Sequence, residues 1–473
     1  MNYSLTINNY RSFRNLRFDF SRVNILIGEN SSGKSSLLKF LLVLKQSIEN
    51  NKDSNLLLSG EYADVGNYYD MIYFHKEDRK LKFGFKVGRD YYDFYKQIMF
   101  FNESLLEEVE VDEDLQKEIE AENQIKDRIF KDIDSYETTI QFSITNELDK
   151  HKTIETIIEN SKLGKVELII EEDYLKYKDS LSSNLSPTLT IRYESKIRNE
   201  SIEFKKIGYE KKAFLSIVEG YDLNQKALDK NDEDLYYEIA YLLITQNYIE
   251  KKINNMEFVN PLFTEPKRIY LMRDTKSFYK KNDIEKFISL INGNKVSPSF
   301  LKNFNELIVN FGLADGVDVR NSKNLPVSEL KIKIKNLYSN IFDVGYGVSL
   351  QLPIIFEALL SEQNGGKTLI IEQPEVHLHP KLQAKFIETL LSIGDNNQYI
   401  IETHSEHIIR KLQVIIKQKL FSTKPEDVNI FYFGRERTRT ELTIHRIEEN
   451  GKLNPNFPSG FFDSSYLLAK ELL

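Results

Sequence analysis

Nine residues near the N-terminus constrain this chain most: Gly28-Glu29-Asn30-Ser31-Ser32-Gly33-Lys34-Ser35-Ser36. They fit the pattern G-x-x-x-x-G-K-[ST] at each fixed position. An apolar, β-branched run, Val23-Asn24-Ile25-Leu26-Ile27, precedes them. A helix-forming apolar run, Leu37-Leu38-Lys39-Phe40-Leu41-Leu42, follows. Strand, glycine loop and helix in that order form a phosphate cradle, because loop N–H groups and the helix N-terminus together favour a polyanion. In such a loop Lys34 reaches the β- and γ-phosphates and the Ser35 hydroxyl holds Mg²⁺. The alternative is a chance Gly-Lys-Ser turn.

A chain of 473 residues exceeds one ordinary core, so two or three domains are expected. The net charge of −8 argues against a surface coated in basic charge for nucleic acid, although it allows a local basic groove. With no cysteine there is no disulfide framework, thiol nucleophile or Cys-type zinc site. No apolar run approaches the ~20 residues that span a bilayer. Met1-Asn2-Tyr3-Ser4 leads into a strand and not a signal peptide. A soluble, cytoplasmic protein without membrane contact is expected.

Residues 1–100, with alternating strands around 4–7 and 16–20, read as the N-terminal part of a phosphate-loop domain. Residues 103–136 are strongly acidic and read as a solvated helical surface. Strand-like runs at 138–145, 165–171 and 189–194 and helical runs near 234–250 lack the character of the flanks. Residues 101–265 are therefore expected as an inserted α+β lobe. From 266 to 425 short apolar strands alternate with helices, which points to a largely parallel α/β sheet. Residues 426–473 read as a strand-rich tail.

Hydrolysis needs a second anchor for Mg²⁺ and a group that directs water. The strand Leu369-Ile370-Ile371 ends in Glu372, which suits the cation's position beside the loop. Glu375, three residues on, is placed to orient or deprotonate water. The next strand ends Ile401-Glu402-Thr403-His404-Ser405, which puts His404 at the same sheet edge. Each feature has a plainer alternative: an ordinary strand end for Glu372, a structural histidine for His404. His377 and His379 share a face if on a strand and suit a metal, but the Pro380 that follows favours a turn.

Asn9-Tyr10-Arg11-Ser12-Phe13, the loop, Ile371-Glu372-Gln373-Pro374-Glu375-Val376-His377-Leu378-His379-Pro380 and Glu402-Thr403-His404-Ser405 together resemble the ABC/SMC-type AAA ATPases of bacteria. That group includes OLD-family proteins and the ATPase subunits of the Septu and PARIS anti-phage systems. The resemblance covers residues 1–75 and 265–473. It implies an α/β P-loop NTPase fold of ABC/SMC type with a mixed, mostly parallel sheet flanked by helices. It makes Glu372 the Walker B acid, Glu375 the catalytic glutamate and His404 the switch histidine. It puts Val344-Gly345-Tyr346-Gly347-Val348-Ser349 in the signature loop, with Gly347 and Ser349 facing nucleotide, though the stretch departs from Leu-Ser-Gly-Gly-Gln. Arg11 and Phe13 would lie near the base, or Phe13 in the core. No Q-loop glutamine is evident in residues 56–76. Asn429 to Phe433 and Phe457 to Asp463 resemble the tail of a subgroup whose terminal domain has no assigned function. Tyr270-Leu271-Met272-Arg273 is expected to match that subgroup's strand ending in arginine, without the usual proline.

The resemblance further implies Mg²⁺·ATP held between two copies facing head to tail, within a dimer or a higher assembly built from it. No acidic triad of nuclease type follows His404. The expectation is an ATPase that regulates a separate effector, such as a nuclease or toxin. A DNA-clamping ATPase of repair or recombination is the alternative. Lys205-Lys206, Lys211-Lys212 and Lys251-Lys252 leave room for a nucleic acid, or form solvated faces.

Overall fold

A computed structural model of the chain describes residues 3–50, 56–88, 91, 94, 124, 130, 133, 136–144, 151–173, 188–207, 210–212, 215–217, 233–259, 266–271, 283–458 and 461–462. Most of the acidic stretch, Met272, Arg273, Asp463 and the side chains of Lys205, Lys206, Lys211 and Lys212 lie outside the described set. The chain divides into two compact units.

The first unit holds Met1–Phe20, Ser36–Asn255 and Arg437–Thr440. Strand β1 (Tyr3–Tyr10) pairs with β2 (Phe13–Phe20) through a tight turn. Between them and the rest of this unit the chain makes β3 (Val23–Gly28), which belongs to the second unit, and α1 (Lys34–Asn50), most of which belongs here. The sheet then runs through β4 (Leu81–Val87), β5 (Thr138–Ile144), β6 (His151–Asn160), β7 (Gly164–Asp173), β8 (Thr188–Ser195) and β9 (Glu200–Ile207). The order is β2-β1-β4-β5-β6-β7-β8-β9, with neighbours antiparallel. Residues 138–207, expected in an inserted lobe, thus continue the sheet begun by β1. β4 alternates buried and half-buried positions, as a strand with one covered face does. Phe40 of α1 meets Tyr10 and Phe83 edge-on, with centroids 5.0 and 5.4 Å apart. Helix α2 (Glu233–Asn254) brings the buried Glu238 to Ser195, whose hydroxyl donates to it at 2.9 Å, and to the hydroxyl of Tyr193. Lys251 and Lys252 lie over the rings of Phe94 and Tyr248.

The second unit holds Ser21–Ser35, Met256–Glu436 and Glu441–Leu473. After β10 (Met256–Val259) come α3 (Asp283–Asn292), α4 (Pro298–Phe311) and α5 (Tyr346–Gln363). Then follow β11 (Thr368–Glu372), α6 (Pro380–Ile393), β12 (Gln398–Glu402), α7 (Glu406–Gln418), β13 (Val428–Glu436), β14 (Arg439–Ile447) and β15 (Leu453–Asn454). The sheet order is β10-β11-β12-β3-β13-β14-β15, and its first five strands are parallel. Every residue of β3 and β12 is buried, as parallel strands covered on both faces require. Helix α5 is apolar nearly all round and correspondingly buried. Its Phe356 receives Phe287 of α3 and Phe300 and Phe304 of α4, with centroids 4.6, 5.1 and 5.6 Å away. Ser297 caps α4, and Gly312, at φ 85°, stops it in the left-handed conformation. A smaller antiparallel sheet contains residues 270–271, 316–321, 327–334 and 337–340. The expected mixed, mostly parallel sheet flanked by helices is present in this unit's seven-stranded sheet, whereas the sheet of the first unit is antiparallel.

Candidate nucleotide-binding and catalytic site

β3 delivers the phosphate loop. At its end Gly28 has φ 147°, and a Cβ there would stand 2.2 Å from the Phe433 carbonyl oxygen of β13. The N–H of Glu29 donates to that carbonyl at 3.3 Å. Only glycine allows this approach. Ser31 (φ 59°) and Gly33 (φ 110°) turn the chain back toward α1. The buried Ser32 hydroxyl donates to the Glu29 carbonyl at 2.8 Å and braces the turn, while Glu29, Asn30 and Ser31 stay exposed. Lys34 is buried and curls over its own loop, donating to the Gly28 carbonyl at 3.0 Å and the Glu29 carbonyl at 2.6 Å. Burial holds its amine below the usual lysine range, against the pull of Glu402 and Glu29. The Ser35 hydroxyl donates to Glu402 Oε1 at 3.0 Å.

One carboxylate, Glu402, meets this loop from the C-terminal edge of the parallel strands, where open α/β sheets place their ligands, and two more, Glu372 and Glu375, stand beside it. Register puts Glu372 beside Glu402 and Glu402 beside Leu26. Glu375 lies on the loop after β11, between Gln373 (φ 46°) and His377 (φ 62°). Two non-glycine residues in the left-handed region store backbone strain of a kind that clusters at functional sites. Glu375 Oε1 accepts the His404 backbone N–H at 2.6 Å, and its Oε2 is buried without a partner. Glu402 is 2 % exposed, and its Oε2 is likewise buried and unpartnered. Burial, then the charge of Glu372, pushes Glu402 up to about 7, against the Ser35 hydrogen bond and Lys34. The His404 side chain is exposed at this edge; such burial as it has, and Lys34, hold its imidazole below the usual range.

This donor set fits Mg²⁺·ATP. Carboxylates beside a loop built for a polyanion repel it unless a cation stands between them. Among the described residues no three His, Cys, Asp or Glu side chains form a metal site by themselves. Mg²⁺ is commonly held by one or two carboxylates together with substrate phosphates. His379 accepts the Lys381 N–H at 3.3 Å and caps α6, and His377 packs edge-on to Tyr346; both shape the turn.

Other expected residues are placed differently. Phe13 is fully buried, packed against Tyr10 and Phe18 at 5.8 and 5.9 Å, so it has no face for a base: the core alternative holds. Arg11 (φ 47°) lines a pocket of the first unit with Asp70, Tyr73, Phe74 and His75. Ser36 is half-buried in α1. Ser349, expected in the signature loop, is buried within α5, and its hydroxyl donates to the Tyr346 carbonyl at 2.8 Å. Gly345 and Tyr346 are what that stretch exposes. Gly347 abuts the loop after β11, where a Cβ would stand 2.7 Å from the His377 carbonyl oxygen. Gln351 of α5 donates to the Pro374 carbonyl at 2.7 Å.

Residues 1–409 match the model of the AAA ATPase domain. The chain belongs to that family. Residues 423–472 of this AAA ATPase match a model described as a protein of unknown function, DUF3696. The retron Vc95 probable ATPase of Vibrio cholerae serotype O1 biovar El Tor is 26 % identical over 184 residues, 38 % of this chain and 32 % of that protein. The OLD nuclease of Thermus scotoductus is 34 % identical over 102 residues, 20 % of this chain and 18 % of that one. The RecF DNA replication and repair protein of Oenococcus oeni is 35 % identical over 66 residues, 13 % and 18 % of the two chains. The matches thus span a third or less of these relatives. An SMC head bound to the C-terminal winged-helix domain of ScpA is 12 % identical, covering 95 % of this chain and 98 % of that one, at a TM-score of 0.43. The SMC head of Thermotoga maritima is 10 % identical, covering 93 % and 98 %, at 0.33. Likeness at those scores is loose, and the fold stands on the strand order above. No helix among the described residues is long and apolar enough to cross a membrane.

Proposed function

We propose that this AAA ATPase closes as a head-to-tail homodimer around Mg²⁺·ATP, hydrolyses it, and uses the cycle to regulate a separate effector in cytoplasmic anti-phage defence. The observation that carries the reading is the convergence of Lys34, Ser35, Glu372, Glu375 and His404 at one strand edge. In this reading the Lys34 amine leaves the Gly28 and Glu29 carbonyls for the phosphates. Ser35 and Glu372 would hold the cation, which when bound would supply positive charge against the phosphates. Glu375, held by the His404 N–H through one oxygen, keeps the other to take a proton from water. His404 faces the γ-phosphate. The partner's stretch at 345–347 closes the site. A site completed only by a second copy lets nucleotide favour closure and hydrolysis release it. The effector is a nuclease or toxin by resemblance to the Septu and PARIS subunits, and the retron relative, named a probable ATPase, supports the ATPase half of the reading.

Replacing Glu375 with Gln tests this. The variant is expected to lose hydrolysis by about 10²–10⁴-fold, to keep its ATP affinity, and to stay self-associated longer in ATP. Unchanged turnover, or no longer association, overturns the assignment of Glu375. Lys34→Ala is expected to lose ATP affinity outright in calorimetry.

A further inference from the structure

Glu402 is used by nothing in the mechanism above, yet it is built into the site. β12 lies between β11 and β3 in the sheet. Neighbouring strands stand about 4.8 Å apart, so Glu402 is one strand from the phosphate loop and Glu372 is two. Glu402 is 2 % exposed, its Oε1 accepts a hydrogen bond from the Ser35 hydroxyl, and its Oε2 is buried without a partner. A fully enclosed carboxylate with an unsatisfied oxygen is costly in a folded chain. Beside it stand Glu372 and Glu375, with Lys34 the nearby cation. A scaffold role is served by the Ser35 bond alone and leaves the second oxygen and the crowding of like charge unexplained. A divalent cation answers both.

We infer that Glu402 is a positioning residue for Mg²⁺: it fixes the Ser35 hydroxyl by accepting its hydrogen bond, so that the serine oxygen faces the cation, and it supplies a buried negative charge that makes tight nucleotide binding depend on the metal. The inference rests on the ATPase reading and assigns it a residue beyond the Ser35–Glu372 pair. Charge balance follows. Without Mg²⁺, Glu402 opposes the phosphates. With Mg²⁺, it favours the complex.

The test is calorimetric binding of a non-hydrolysable ATP analogue to the full chain, in excess Mg²⁺ and in EDTA. Wild type is expected to bind more tightly with Mg²⁺. Glu402→Gln, nearly isosteric, is expected to lose about tenfold to a hundredfold of that gain while its affinity in EDTA equals or exceeds that of wild type. An unchanged Mg²⁺ gain overturns the inference, as does a parallel loss under both conditions, which is what a scaffold role gives. If Glu402→Gln loses its fold by circular dichroism, Glu402→Asp decides. It keeps the charge and is expected to keep most of the gain, and a fall to the level of Ser35→Ala overturns the inference. A wild-type chain that binds the analogue under neither condition overturns the ATPase reading itself.

Discussion

Gly28 shows how a single atom governs the phosphate loop. The 2.2 Å approach of the Phe433 carbonyl oxygen leaves no room for a Cβ. Gly28→Ala is expected to cost about 2 kcal/mol or more, read as a lower urea midpoint, and to weaken ATP binding because the loop must shift. The loop was legible in the sequence because its chemistry is local: glycines, lysine and serine are contiguous. Glu402 carried a signal too. Ile400-Ile401-Glu402 repeats Ile370-Ile371-Glu372, two apolar strands each ending in a carboxylate. Its partner Ser35 is legible only once β12 lies beside β3. Ser349 was placed by the resemblance alone, and its position in the first turns of α5, where the hydroxyl bonds back to its own helix, was not legible from the stretch 344–349.

Among elements, four are tied by an ion cluster. Lys286 of α3 reaches Glu257 of β10 at 3.0 Å and Glu357 of α5 at 2.7 Å, and Lys367, next to β11, reaches the same two carboxylates at 3.0 and 3.4 Å. Burial would raise Glu257, but Lys286 and Lys367 outweigh it and hold the carboxyl at about 2. The folded value lies below the unfolded 4.5, so the unfolded chain takes the proton first. This contribution is full above about pH 4.5 and is lost as pH falls from there toward 2. Glu257→Gln is expected to cost about 2 to 3 kcal/mol at neutral pH and to flatten the acid side of the stability profile, as measured by urea unfolding from pH 7 down to pH 3. A wild-type profile as flat as the variant's contradicts this. Helix α5 is tied by one more bond, from Gln351 to the Pro374 carbonyl. Gln351→Ala is expected to lower turnover about tenfold through misplacement of Glu375, with ATP affinity unchanged. The alternation of strand and helix from 368 to 418 was legible from apolar periodicity. The continuation of the antiparallel sheet through 138–207 was not, because pairing between distant strands leaves no local mark beyond alternation.

The whole molecule combines two units cut from interleaved segments. The ATPase reading predicts that sedimentation will show ATP-dependent association that Lys34→Ala abolishes and Glu375→Gln prolongs. A species whose mass does not change with nucleotide contradicts the dimer. The interleaving has a cost in time. β3 carries the phosphate loop, yet its two neighbours are made late: Val23 lies between Tyr399 and Val428, and Asn24 bonds to a carbonyl 375 positions further on. At a ribosomal pace of about 5–20 residues per second, roughly 20–80 seconds pass before either edge of that six-residue apolar strand is covered. Throughout that interval the nascent polypeptide displays a bare, sticky segment, so its safe synthesis calls for a chaperone or for temporary shelter within the half already made.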